Sequence, residues 1–118
     1  MEKFGTIAFW HERLNSNKKD HGLDLSLYDS FSEMAQKEFG EFDVYRAIYM
    51  KEHHGLQFST ISFANMKGSV QVGFIFARKN EIRRRFGKVD MCTMLLAEAL
   101  LFEQVEELNN EFNTSEGV

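Results

Sequence analysis

The clearest strand signal is an alternation of apolar and polar residues near the middle of the chain. From Val70 to Phe76 every second residue is apolar, and the residues between them begin as polar or small ones. A period of two is typical of a β-strand, and a half-polar second face favours an antiparallel sheet. The other predicted strands are residues 3–10, 44–51 and 56–65. Residues 44–51 also fit a helix, and we favour a strand because the two strands that follow need a neighbour.

Three segments have apolar residues at the spacing of an α-helix. They are residues 25–39, 81–86 and 91–112, with N-caps expected at Asp24 or Ser26, at Asn80 and at Asp90. The element order β-α-β-β-β-α-α predicts an α+β fold with a four-stranded, mostly antiparallel sheet and helices packed on one face. The length of 118 residues fits one domain over residues 1–112, with a disordered tail over residues 113–118.

The last predicted helix is apolar on all sides over its first half. At about 100° per residue, eight apolar residues from Met91 to Phe112 fall on one arc, and Leu96 and Cys92 lie outside it. We therefore expect the first half of this helix to be buried on two sides. On this interpretation Cys92 is a small buried thiol.

Glu98 is the polar exception within that apolar arc. A buried carboxylate without a partner costs several kcal/mol or stays protonated. Its expected partner is Arg46, a tyrosine hydroxyl or a second subunit. A structural ion pair is the favoured interpretation, and an acid at the base of a cleft is the functional alternative.

Composition excludes several classes of protein. At 43% hydrophobic and 27% charged residues, the chain is too apolar to be disordered. One cysteine, Cys92, excludes an internal disulfide and any zinc site with several cysteines. No apolar run approaches the length of a membrane span, and the start lacks the pattern of a signal peptide. These features predict a cytoplasmic protein with no membrane partner.

Charge is unevenly distributed around a net value of −4. Residues 78–88 carry six bases and one acid, whereas residues 89–118 carry seven acids and no base. A short basic block therefore directly precedes a long acidic one. One possibility is that the arginines fold back and neutralise the acidic helix. The other is that the two blocks present separate local electric fields, because salt screens exposed charges beyond about 8 Å.

No pattern in the sequence indicates a catalytic or cofactor site. The metalloprotease, paired-cysteine, nucleophile-elbow and glycine-rich nucleotide motifs are all missing. A metal site could be built in the predicted loop 11–24 from His11, Glu12, His21 and Asp24, but surface histidines are the favoured interpretation. His53 and His54, in a predicted turn, make a poor chelating pair. We expect a protein that is not an enzyme and needs no metal or cofactor.

Two charged surfaces are candidate binding sites. The first would dock a protein with a basic surface and comprises Glu103, Glu106, Glu107, Glu111 and Phe112. The second would bind nucleic acid or phosphate and comprises Arg78, Lys79, Arg83, Arg84, Arg85 and Lys88.

We favour the first surface, because the chain as a whole is acidic. The predicted function is a small protein-binding module, in its most concrete form an inhibitor or immunity-type protein. Nucleic-acid binding is the alternative. With 12 Phe and 6 Met, the chain also has enough apolar surface to make a homodimer plausible.

Overall fold

The computed structural model describes residues 4–10, 21–52, 56–60 and 69–116. Within them the strands are β1 (Thr6–Phe9), β2 (Val44–Glu52), β3 (Leu56–Ser59) and β4 (Ser69–Ala77). They form one four-stranded sheet in the order β1-β4-β2-β3, with every neighbouring pair antiparallel. The α+β class and the antiparallel sheet are confirmed, and residues 44–51 are indeed a strand. Residues 11–20 of the predicted loop 11–24 lie outside the described residues. So do the predicted turns at 53–55 and 66–68 and the end of the predicted strand at 61–65.

Strand β4 is central, because it pairs with β1 on one side and β2 on the other. The pairing with β2 shifts after Ile48, which faces Gly73, whereas Tyr49 faces Gln71. The extra residue, Val72, makes a β-bulge. A side chain at Gly73 would meet the carbonyl oxygen of Ala8 at 1.8 Å. Only glycine therefore lets β1 pair here.

The predicted helix over residues 25–39 is two elements, a 3-10 turn (Leu25–Leu27) and α1 (Phe31–Glu38). The break comes from local capping. Asp24 caps the 3-10 turn, and the Ser30 hydroxyl accepts a hydrogen bond from the Glu33 N–H at 3.1 Å to begin α1. The Asp29 N–H donates to Glu33 in return, which lowers the pKa of that carboxyl.

Helix α2 (Lys79–Phe86) begins before the predicted cap at Asn80. Its capping carboxylate comes from another element, because Asp43 accepts a hydrogen bond from the Lys79 N–H at 2.9 Å. Asp43 lies directly before β2, and the pairing of Val44 with Ala77 brings it beside the start of α2, which sequence spacing alone does not reveal. The predicted end is correct, since Gly87 adopts a left-handed φ of 84°.

Helix α3 (Met91–Glu116) begins where expected, after Asp90. It runs four residues past its predicted end, so the segment expected to be a tail is helical through Glu116, and residues 117 and 118 lie outside the described part. No described helix has both the length and the apolar character that a membrane span needs.

The helices lie on both faces of the sheet, which corrects the expectation of a single covered face. On one face, Met34 and Ala35 of α1 pack with Phe74 and Phe76 of β4. The other face buries Ile75 with the α2 and α3 residues Ile82, Ala97, Leu101, Val105 and Leu108. Both faces of β4 are apolar in its second half, and each therefore needs a cover.

Two side-chain amides tie α3 to the outer strands. The Gln104 side chain accepts from the Gly5 N–H at 2.8 Å and donates to the Gly5 carbonyl at 2.9 Å. Asn109 makes the same pair of bonds with the Phe58 backbone in β3, at 2.6 Å each. Because Gly5 directly precedes β1, α3 spans the sheet and is held near both of its edges.

Candidate protein-docking surface

A reciprocal N-cap holds the first turn of α3. The Thr93 N–H donates to the Asp90 carboxylate at 2.9 Å, and the Asp90 N–H donates to the Thr93 hydroxyl at 2.8 Å. The first of these bonds is the main cause of a lowered pKa for Asp90. This reciprocal cap fixes the first turn of the helix, and with it the direction of every later side chain.

The buried face of α3 is a ridge spaced three or four residues apart. Ala97, Leu101, Val105 and Leu108 are buried against the sheet, together with the Gln104 amide. Ala97 is small, which lets the helix backbone approach the strands closely. The expected arc is therefore rotated, because the sheet selects this ridge rather than the one through Met91 and Leu95.

The first half of α3 is not buried on two sides as expected. Met91, Leu95 and Leu96 are 78%, 62% and 54% exposed. Cys92 is exposed as well, so the prediction of a buried thiol is wrong. When a helix is apolar on all sides and only one side packs on the sheet, another apolar face stays exposed. The apolar residues all around the first half of α3 were therefore the sequence signal for this exposed face.

The predicted acidic residues continue this exposed face toward the helix C-terminus. Glu103, Glu106, Glu107 and Glu111 are all exposed. At 100° per residue, Glu103 and Glu107 lie within about 20° of Leu96 around the helix axis, and Glu106 within about 20° of Leu95. The side chain of Phe112 lies outside the described part. We call Met91, Leu95, Leu96, Glu103, Glu106 and Glu107 the α3 surface.

A cleft of about 480 Å³ borders the α3 surface at its apolar end. Phe42 and Tyr45 line one side, and Met91, Met94 and Leu95 line the other. Phe42 and Tyr45 are themselves exposed. Glu41 and Asp43 line it as well, so the cleft adds both apolar and acidic surface next to the start of α3.

Glu98 also lines the cleft, and its carboxylate is already paired. The Arg46 guanidinium donates to it at 2.9 Å and lies 5.2 Å from the centre of the Phe102 ring. Of the three expected partners of Glu98, the structure shows Arg46. Both side chains remain partly exposed, so this pair contributes only about 0–1 kcal/mol to stability.

The basic segment is divided by the fold. Arg78 donates to the Glu38 carbonyl, pairs with Asp43 at 3.2 Å and stacks over Phe39 and Phe76. These contacts give Arg78 a structural role, and its place in the predicted phosphate-binding set stays a prediction.

The other bases of this segment are more accessible. Arg83, Arg84 and Arg85 are exposed in the last turn of α2, where positive charge interacts favourably with the helix dipole. Lys79 is exposed, and Lys88 pairs with Asp90 at 3.3 Å. Among the described ion pairs, none joins an arginine of α2 to a glutamate of α3.

The candidate metal ligands are only partly described. His21 is buried, accepts a hydrogen bond from the Leu23 N–H at 3.0 Å and packs edge-on against Trp10. His11, Glu12, His53 and His54 lie outside the described residues. Within the described part of the chain, no three metal-ligating side chains come together.

The α3 surface is apolar at the start of the helix and acidic farther along it. This combination is typical of a docking surface for a protein that presents both apolar and basic side chains. Comparison of the chain with family models, with curated proteins and with solved structures finds no match.

Proposed function

We propose that this chain is a cytoplasmic protein-binding module that docks its partner on the α3 surface and catalyses no reaction. The observation that carries the proposal is the composition of one exposed helix face. Met91, Leu95 and Leu96 expose large apolar side chains, and the glutamates follow on the same face. The core does not need this face, because the opposite side of α3 already covers the sheet.

The two halves of the α3 surface would contribute differently to binding. Burial of Met91, Leu95 and Leu96 would supply a hydrophobic driving force of about 25 cal/mol per Å² of apolar area removed from water, against which the entropy cost of association counts. Glu103, Glu106 and Glu107 would attract a basic partner over the Debye length and raise the association rate. The partner is therefore expected to present apolar side chains next to Lys or Arg.

The concrete form that we propose is an inhibitor or immunity-type protein, in which α3 covers a basic working surface of the partner. The rigid anchoring of α3 supports this form. Its N-cap at Asp90 and its bonds to Gly5 through Gln104 hold the helix in place before binding. A pre-ordered surface loses less conformational entropy on association.

A matched pair of charge reversals tests the proposal. Glu103→Lys and Asp29→Lys change the net charge equally, and both positions are exposed, but only Glu103 lies on the α3 surface. We expect a partner captured from the native host by the wild type and by Asp29→Lys, and lost with Glu103→Lys. With the captured partner purified, the association rate should fall as salt rises. Equal capture by both variants, or an association rate independent of salt, would contradict the proposal.

Nucleic-acid binding is the second candidate, because Arg83, Arg84 and Arg85 are exposed together. Its test is titration of a fluorescent single-stranded oligonucleotide at two salt concentrations. Binding that weakens steeply with salt and is lost when all three arginines are replaced by Gln would support it. No binding at low salt excludes it.

A further inference from the structure

We propose that a second copy of this chain binds the α3 surface, with the two α3 helices antiparallel and Leu95 and Leu96 next to the two-fold axis. This inference rests on the proposed function, since it names a partner for the same surface. The reason is that one chain carries both of the surfaces that such a contact needs. It has the apolar and acidic face, and it also has an exposed basic group beside the start of the same helix.

The apolar part of α3 suits a two-fold contact. Leu95 and Leu96 are exposed and adjacent, and Met91 flanks them one turn earlier. Cys92 and Ala99 are exposed small residues one turn on either side of the two leucines. Small residues at these positions would let two helix backbones approach, while the leucines of each copy fill the space between them.

Charge decides the direction of the second copy. Along the chain, the exposed arginines of α2 come first, the apolar residues 91–99 follow, and the glutamates come last. An antiparallel pair about an axis between Leu95 and Leu96 therefore brings the acidic end of each copy toward the basic end of the other. A parallel pair would place the acidic ends side by side, which like-charge repulsion disfavours.

Distances along the helix fit this arrangement. At 1.5 Å per residue, Glu103, Glu106 and Glu107 lie about 11–17 Å from the axis, whereas the start of α3 at Met91 lies only about 7 Å from it. In an antiparallel pair the glutamates of one copy therefore extend past the start of α3 in the other copy, toward the end of its α2. The arginines lie near the start of α3, because Gly87–Asp90 is the whole connection between the two helices and Ile82 of α2 is buried in the core that α3 covers. The symmetry repeats each charged contact at both ends of the pair.

Sedimentation of the full chain at several concentrations tests the proposal. We expect a reversible dimer that weakens at high salt. The double variant Leu95→Asp/Leu96→Asp should raise the dimer dissociation constant at least tenfold. The matched control is Leu27→Asp, because Leu27 is 72% exposed and lies in the 3-10 turn rather than in α3. Circular dichroism checks that each variant keeps its helices, as expected for exposed positions.

Two further variants test the direction of packing. Glu107→Lys and Arg84→Glu should each weaken the dimer, and the two changes combined should weaken it less than the sum of the single effects. In the proposed dimer Cys92 of one copy is level with residue 99 of the other, so Ala99→Cys should give a covalent dimer on oxidation. The wild type should not, because its two Cys92 residues would be about 10 Å apart along the helix axis, at 1.5 Å per residue.

The outcomes separate this inference from the proposed function. A wild type that stays monomeric at all concentrations overturns the dimer, as does a dimer that survives Leu95→Asp/Leu96→Asp or that crosslinks through Cys92 alone. Loss of captured partner with Glu103→Lys would still support the proposed function in those cases. A dimer that responds as expected, without differential capture of another protein, supports self-association and contradicts the inhibitor form.

Discussion

Replacing Gln104 with Met tests how α3 is anchored. Gln104 is buried and makes two hydrogen bonds to the Gly5 backbone, one as acceptor and one as donor. Methionine keeps nearly the same length and volume but can form neither bond. The substitution therefore leaves the Gly5 N–H and carbonyl without these bonds, while the packing around residue 104 changes little.

The size of the effect follows from those two backbone groups. A buried polar group that loses its hydrogen bond costs roughly 1–3 kcal/mol, so Gln104→Met should lower the free energy of unfolding by roughly 2–6 kcal/mol. The total for a domain of this size is about 5–15 kcal/mol. We therefore expect a large loss of stability, equivalent to a fall in melting temperature of about 4 °C for each kcal/mol.

Urea denaturation followed by circular dichroism measures this loss. Gln36→Met is the matched control, since Gln36 is exposed on α1, and its effect should stay within about 0.5 kcal/mol. If Gln104→Met changed stability no more than Gln36→Met, the two hydrogen bonds to Gly5 would not anchor α3.

Three further predictions concern stability. Gly73→Ala should lower the free energy of unfolding, because a Cβ at residue 73 meets the Ala8 carbonyl oxygen. The expected loss is at least 1–3 kcal/mol, roughly the cost of overpacking, and thermal melting measures the change in stability. Partial burial raises the pKa of Asp43, but hydrogen bonds from the backbone of Gly40 and Lys79 and from Arg78 outweigh burial and lower it overall. The Asp43 carboxylate therefore stabilises the fold above its ordinary pKa of 3.8, and this contribution is lost as pH falls below that value. Asp43→Asn should be less stable at neutral pH, and its free energy of unfolding, measured by urea titration, should change less with pH in the acid range. Glu103→Gln/Glu107→Gln should keep or slightly raise stability, by about 0.2–0.5 kcal/mol, because like charges four residues apart repel; a clear loss in the same titration would contradict a surface role.

Local patterns were enough to predict the strands and the limits of several helices. The alternation from Val70 onward predicted β4, Asp90 marked the start of α3, and Gly87 marked the end of α2. These features depend on the residues themselves or on near neighbours in the chain, because capping and left-handed φ angles are local properties. The charge of the acidic helix face was also predictable, since residues 103–107 include three acids and no base.

Contacts between distant segments decided the rest. In a helix that is apolar all round, periodicity does not indicate which face is buried, and the sheet selected the ridge through Ala97 and Leu101. That choice left Leu95 and Cys92 exposed and so created the apolar part of the α3 surface. Arg78 likewise joined the fold because Asp43 and the Glu38 carbonyl, both far away in the chain, lie beside it. Burial and pairing depend on which surfaces meet in three dimensions, and a pattern along one segment does not contain that information.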